Sequence, residues 1–190
     1  MSDRDSHTVK GVFLRIRKGK PELLLLEHKA REKTAKQKSG KVFKEKPRLG
    51  LPGGKVEDLE TFKDAMIREY KEELDFDLPE DILKERLCFH SAIKPSQRVD
   101  SDSHQEHYFF AELPSDLEIG EIEDNEEIVR GQFFPLDKLP LPNDPLPFTG
   151  GQLQGLVNLL RLLRYQIEDA DLWLSTVEKR AYDFIDGRRG

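Results

Sequence analysis

The residues of this 190-residue chain with the types and spacing to do chemistry are Glu60, Arg68, Glu69, Glu72 and Glu73, preceded by Leu51-Pro52-Gly53-Gly54-Lys55-Val56-Glu57. On a helix turning by about 100° per residue, Glu69, Glu72 and Glu73 share an arc of about 100° and can converge on one point. Phe62, Ala65 and Met66 fall on the same side, while Asp64, Arg68, Lys71 and Asp75 occupy the other, so the carboxylates sit among apolar residues and away from the solvent face. Like charges three and four residues apart repel, the more so when partly buried. Arg68 and Glu72 form an i,i+4 ion pair, but three carboxylates call for a further positive partner. An oxygen-only ligand set favours Mg²⁺ or Mn²⁺ over zinc or copper. The Gly53-Gly54 pair lets backbone N–H groups approach an anion closely, although a Gly-Gly taken alone is an ordinary turn.

A helix over about Thr61 to Leu74 must carry these carboxylates, with Thr61 as N-cap, Asp64 in place of the usual capping-box Glu, and Pro79 beyond its end. Ahead of it, Val9 to Arg17 and Glu22 to Glu27 read as a β-hairpin around Lys18-Gly19-Lys20-Pro21. Leu23-Leu24-Leu25-Leu26 predicts a second strand buried on both faces. Lys29 to Lys46, polar and aperiodic, reads as a long exposed loop, and Leu49 to Leu51 as a short strand into the diglycine. Strands are expected over Leu87 to Ile93, His107 to Leu113 and Ile128 to Phe134, followed by a Pro-rich connector from Pro135 to Pro147. Two helices close the chain, one carrying Leu153, Leu156, Val157, Leu160 and Leu163, the other Leu172, Leu174, Val177, Tyr182 and Ile185. This order is mixed α/β without the strict alternation of a doubly wound sheet.

Composition narrows the class. Apolar and charged residues each make up 36% of the chain, which means a heavily charged surface over a real core. No apolar run approaches a membrane span, and the first residues lack the apolar core of a signal peptide, so a soluble, cytoplasmic protein is expected. The lone Cys88 excludes an intrachain disulfide and a cysteine-rich zinc site, and its strand position suits a small core residue. His104 and His107 flank Gln105-Glu106 with no third ligand evident, which argues against zinc. The net charge of −6 hides an asymmetry: residues 1–50 carry +9 and the other 140 carry −15. The basic excess lies in 29–48, the acidic excess between Glu112 and Glu127.

The stretch Gly54 to Phe76 resembles the Nudix box, G-x5-E-x7-R-E-U-x-E-E-x-G-U, in which U is a bulky aliphatic residue. Gly54, Glu60, Arg68, Glu69, Glu72 and Glu73 match at the required spacing. Tyr70 fills a U position, and Asp75 replaces the final glycine, which bears on helix-end geometry because Asp tolerates a left-handed conformation. The resemblance implies a Nudix-like α-β-α sandwich around a mixed β-sheet (α+β) with an extra C-terminal helix. Residues 1–166 would form the domain, 29–48 a basic loop insertion, and 167–190 a helical extension.

The activity implied is divalent-metal-dependent hydrolysis of the pyrophosphate bond in a nucleoside diphosphate linked to another moiety: a nucleotide sugar, ADP-ribose, a dinucleoside polyphosphate or a nucleoside triphosphate. By resemblance, Glu69, Glu72 and Glu73 hold Mg²⁺ or Mn²⁺, Arg68 orients a glutamate, Glu60 supports the loop–helix junction, and Gly53 and Gly54 face the pyrophosphate. The general base is a box glutamate or an acid of a distant loop, here Glu123, Glu126 or Glu127. Phe133 and Phe134 are candidates for stacking a base. Ser91 to Lys94, where the family carries substrate markers, offer neither a proline nor a tyrosine. The alternatives are an RNA 5′-end pyrophosphohydrolase, supported by the basic loop alone, and a catalytically silent nucleotide-binding module, against which all box glutamates stand. The terminal helices are candidates for capping the site or for a homodimer interface.

Overall fold

The structure, a computed structural model, describes residues 6–34, 42–74, 87–88, 104–119, 126–141, 143–148 and 150–187. Strands β1 (Ser6–Arg17) and β2 (Lys20–His28) form the expected hairpin. Its turn is only Lys18-Gly19, with φ of 52° and 73°. Positive φ at both central residues is the type I′ geometry whose twist matches the flanking strands. The four leucines of β2 are fully buried, Leu23 and Leu25 in one core, Leu24 and Leu26 in another on the opposite face.

The expectation of a long loop over Lys29 to Lys46 is corrected. Strands β3 (Arg31–Thr34) and β4 (Val42–Glu45) pair as an antiparallel ribbon. Their register sets Arg31 opposite Glu45 and Glu32 opposite Lys44. A search for apolar alternation within one stretch does not detect a pairing of this kind.

The chain continues through β5 (Arg48–Gly50), α1 (Phe62–Leu74), β6 (Leu87–Cys88), β7 (His104–Glu112) and β8 (Ile128–Pro135), then a 3₁₀ turn (Leu136–Lys138), α2 (Gly150–Leu163) and α3 (Ala170–Gly187). The main sheet runs β5-β2-β1-β7-β6 with β8 also on β2. Its β1–β7 pair is parallel and the others antiparallel, so the sheet is mixed. One face packs Val9, Phe13, Leu24, Leu26 and Phe109 against Ala65, Met66, Tyr70 and Leu74 of α1. The other packs Val12, Leu14, Leu23, Leu25 and Phe110 against Leu156, Leu160 and Leu163 of α2 and Trp173 and Val177 of α3. The expected α-β-α sandwich is thus formed, and α3 belongs to its second core. Most of the strand expected over Leu87 to Ile93, with Ser91 to Lys94, lies outside the described residues, as do Asp75, Phe76, Pro79 and Glu123. No helix among the described residues is long and apolar enough to cross a membrane.

The β1–β2 hairpin splits. The two strands pair only from Arg17↔Lys20 to Leu14↔Leu23. Beyond that point the same edge of β2 pairs with β5 at Leu26 to His28, while β8 occupies its other edge. The vacated edge of β1 is filled by the chain leaving β5: Gly11 N donates to Pro52 O at 2.8 Å, Val9 N to Gly54 O at 2.9 Å, and Val56 N to His7 O at 3.0 Å. The diglycine is therefore woven into the sheet.

Arg15, 3% exposed, is a buried cation on β1. It pairs with Glu22 at 2.7 Å, donates to Leu117 O, and lies over the Phe133 ring at 3.8 Å. It ties the start of the acidic stretch to the sheet.

Truncating Trp173, 3% exposed against Phe110, should cost about 3–5 kcal/mol. Urea unfolding followed by far-UV circular dichroism should show one cooperative transition at a lower midpoint, since α3 shares the core of α2.

Candidate active site

Helix α1 starts where the sequence places it. Thr61 Oγ1 accepts the Asp64 N–H at 3.1 Å and donates its own hydrogen to Asp64 Oδ2 at 2.6 Å. The N-cap thus forms, with Asp64 returning to the hydroxyl. Tyr70 is fully buried and meets Phe13 edge to face at 5.2 Å, so the aromatic at an aliphatic box position serves as core. Near the helix start, Phe62 stacks on His107 at 3.7 Å, and His107 Nε2 lies 3.0 Å from His7 Nδ1. His107 is therefore engaged with His7, and burial, with the nearby His7, lowers its pKa.

Arg68 joins the loop to the helix. Its Nε and Nη2 donate to the two Glu60 oxygens at 2.9 and 3.1 Å, a bidentate pair. Nη1 donates to Glu69 Oε1 at 2.9 Å and Glu72 Oε2 at 3.1 Å, and Nη2 also reaches Lys55 O at 2.9 Å. Glu60 Oε2 accepts the Glu57 N–H at 3.0 Å. The Arg68 guanidinium, first among these influences, holds Glu60 below the usual carboxylate range, and Glu60 in return raises Arg68. The resemblance implies that Glu60 supports the loop–helix junction and that Arg68 orients a glutamate; the contacts of the two side chains are with each other, with the Glu57 N–H, with Lys55 O and with Glu69 and Glu72.

The three box glutamates are not equivalent. Glu72 is exposed at the rim on Arg68. Glu69 and Glu73 are half-buried against the diglycine. A Cβ on Gly54 would lie 2.3 Å from both Glu69 carboxylate oxygens, so only glycine admits that carboxylate. Gly53 N donates to Glu73 Oε2 at 2.7 Å. Gly53 has φ 127°, and a Cβ there would lie 2.2 Å from Val9 O. Burial raises Glu69, opposed chiefly by Arg68. Burial pushes Glu73 up to about 8 against the Gly53 N–H and Lys10, with Glu69 and Glu127 adding to the rise. Among the described residues no three His, Cys, Asp or Glu side chains already converge as a metal-binding group. Glu72 would have to leave Arg68 to join the other two. The donor chemistry nonetheless fits a hard divalent cation: the carboxylates are oxygen-only, and burial holds two of them above their ordinary range.

The NUDIX domain model matches residues 6–151. The chain belongs to the Nudix family. Solved structures share the fold. A MutT/nudix family protein from Enterococcus faecalis is 18% identical over 93% of this chain and 69% of its own, with TM-score 0.53. For a mutT/nudix family protein from Listeria innocua the values are 18%, 87%, 98% and 0.51. The NUDIX domain of Shewanella oneidensis NrtR, solved with ADP ribose, gives 15%, 94%, 90% and 0.52. No curated protein matches by sequence.

Against the Nudix pattern, the other sequence candidates are placed as follows. Glu127 lies close enough for its charge to act on Glu73, and its carbonyl accepts the Lys29 N–H at 2.8 Å. Glu126 is exposed. Phe133 carries the Arg15 guanidinium and faces the α1 side, whereas Phe134 packs into the core under α2 and α3. The two rings point to opposite faces of the sheet, so of the two stacking candidates Phe133 is the one on the α1 face. Sequence reasoning missed Lys10, whose Nζ donates to Gly53 O at 2.8 Å. Burial lowers its pKa, while Glu73, Glu106 and Glu69 raise it and Arg48 lowers it further. A lysine between Val9 and Gly11 at the centre of an apolar strand was the available signal.

Two outcomes follow for the Nudix box. Leu59 is fully exposed with φ 69°, and left-handed backbone costs a leucine about 1–2 kcal/mol. Leu59→Gly should therefore raise stability by about 0.5–1 kcal/mol in denaturant titration. Glu73 has a folded pKa of about 8, above its ordinary 4.5, so the metal-free fold keeps full stability below the ordinary value and loses it as pH climbs through about 8. In EDTA, Glu73→Gln should gain on the wild type in thermal unfolding as the pH is raised from about 6 to about 9.

Proposed function

We propose that this Nudix protein is a divalent-metal-dependent pyrophosphohydrolase acting on a nucleoside diphosphate linked to another moiety. The observation that carries the reading is the pressing of the Glu69 and Glu73 carboxylates onto Gly53-Gly54, both raised by burial. Glu69, Glu73 and Glu72 would hold Mg²⁺ or Mn²⁺, which would supply the positive charge that favours their ionised forms and the Lewis acidity that polarises phosphates and water. Arg68 keeps Glu69 in place through Nη1 while Glu60 holds the guanidinium from the other side. The Gly53 N–H is committed to Glu73, so the Gly54 N–H is the diglycine donor left for a phosphate oxygen. Glu127, whose charge reaches Glu73, is the acid of the distant loop best situated to take the proton of the attacking water.

The substrate moiety is open among nucleotide sugars, ADP-ribose, dinucleoside polyphosphates and nucleoside triphosphates. The similar Shewanella domain binds ADP ribose, which puts that compound first on the panel. The β3–β4 ribbon, in a stretch rich in Lys and Arg, favours one second reading, capture of a triphosphorylated RNA end. That reading requires uptake to fall steeply with salt.

Release of phosphate or nucleotide across this panel should need Mg²⁺ or Mn²⁺, stop in EDTA, and fall by about 10²–10³ in Glu73→Gln. Glu127→Gln should lose most turnover and Glu126→Gln little. Full turnover in both would end the role of the distant loop as base. Binding without turnover by the wild type would replace the hydrolase with a nucleotide-binding module.

A further inference from the structure

On β1, Val12 and Leu14 pack into the core under α2, and side chains two residues apart on a strand share a face. Lys10 therefore occupies a position where the pattern calls for an apolar side chain. An ammonium there is costly unless it is specifically paired. Its hydrogen-bond partner is not a carboxylate but the Gly53 carbonyl, at 2.8 Å. The other end of the same residue, the Gly53 N–H, is held by Glu73 Oε2 at 2.7 Å. Between these contacts Gly53 has φ 127° and no room for a Cβ beside Val9 O. Rotating either peptide plane flanking Gly53 breaks one of the two contacts. The charged groups acting on Lys10 are Glu73, Glu106, Glu69 and Arg48. Glu106, the buried acid among them, already accepts the Tyr108 hydroxyl at 2.8 Å.

We propose that Lys10 is a positioning residue that locks the diglycine backbone through Gly53 O, so that the Gly53 N–H aims Glu73 at the reaction centre. Its part in turnover rests on the hydrolase reading above, whereas its grip on Gly53 does not. Lys10 acts through Gly53 and Glu73 without touching the substrate. Its loss therefore misaligns a metal-side carboxylate, and displacements of that kind cost up to about 100-fold in rate.

The test compares wild type, Lys10→Met, which keeps the length and apolar stem, and Lys10→Arg, which keeps the charge. In metal-free protein, amide exchange by NMR should quicken at Gly53 by at least about tenfold in Lys10→Met. The Val9, Gly11 and Val56 amides, bonded to the same loop or to β1, should change little. A general loosening would move all four together. On whichever panel substrate the wild type turns over, Lys10→Met should lower kcat by about 30–100-fold with KM within about threefold. Lys10→Arg should recover most of kcat and the Gly53 protection. Unchanged Gly53 exchange in Lys10→Met overturns the proposal, as does a rise in KM at constant kcat, which would make Lys10 a substrate ligand. Selective loss of Gly53 protection with no wild-type turnover on any substrate would leave the lock standing and remove the hydrolase reading alone.

Discussion

The architecture depends on what happens where β1 and β2 part. A buried strand edge cannot leave its N–H and C=O groups unpaired, and the split hairpin exposes such an edge on β1 from His7 to Gly11. The Pro52–Val56 segment supplies the missing partners. Because it hydrogen-bonds as a strand would, the diglycine is held to the sheet with the precision of a ladder. Helix α1, following a few residues later, is then fixed at its start by that segment and along its length by the Phe13, Leu24 and Met66 core. Carboxylates projected from α1 meet glycine backbone because both are referred to the same strand.

The electrostatics follow from this placement. Three glutamates on one helix face, brought against a buried backbone, lack the water that would stabilise their charges. Arg68 answers for Glu69 and Glu72, is itself anchored by Glu60, and leaves Glu73 to a single backbone N–H and the field of Lys10. The site is accordingly graded: a rim glutamate on an arginine, an intermediate one shared between arginine and glycine, and an inner one that resists ionisation. Under the proposed metal role, such a gradient would let the inner carboxylate give up its proton when a cation binds.

Much of this was legible in the sequence, and for identifiable reasons. The split into two cores is written in the four consecutive leucines of β2, which no half-exposed strand would carry. The Thr61 cap and the span of α1 follow from local spacing, whereas the roles of Glu60 and Arg68 come from the resemblance of the box. What escaped are features that depend on partners distant in the chain. The β3–β4 ribbon rests on a register between two separate stretches that local periodicity does not contain. Lys10 and Arg15 read as ordinary charges on a strand until residues some 40 and 100 positions away, Gly53 and Leu117, are seen to receive their hydrogen bonds. Phe133 and Phe134, both candidates for stacking by sequence, are sent to opposite faces by strand alternation.

The parallel pairing of β1 with β7 joins Ser6 to His104 and Leu14 to Glu112, and β2 is completed only by β8, which ends at Pro135. Contacts of such long sequence separation carry a large loop-closure cost and slow the search for the native topology. On the ribosome, the hairpin and α1 emerge well before the strands that flank them, so their apolar faces await a late-arriving half of the sheet. The first fifty residues, which carry +9, contain the hairpin that waits for β7 and β8, and like net charge opposes the association of incomplete sheets.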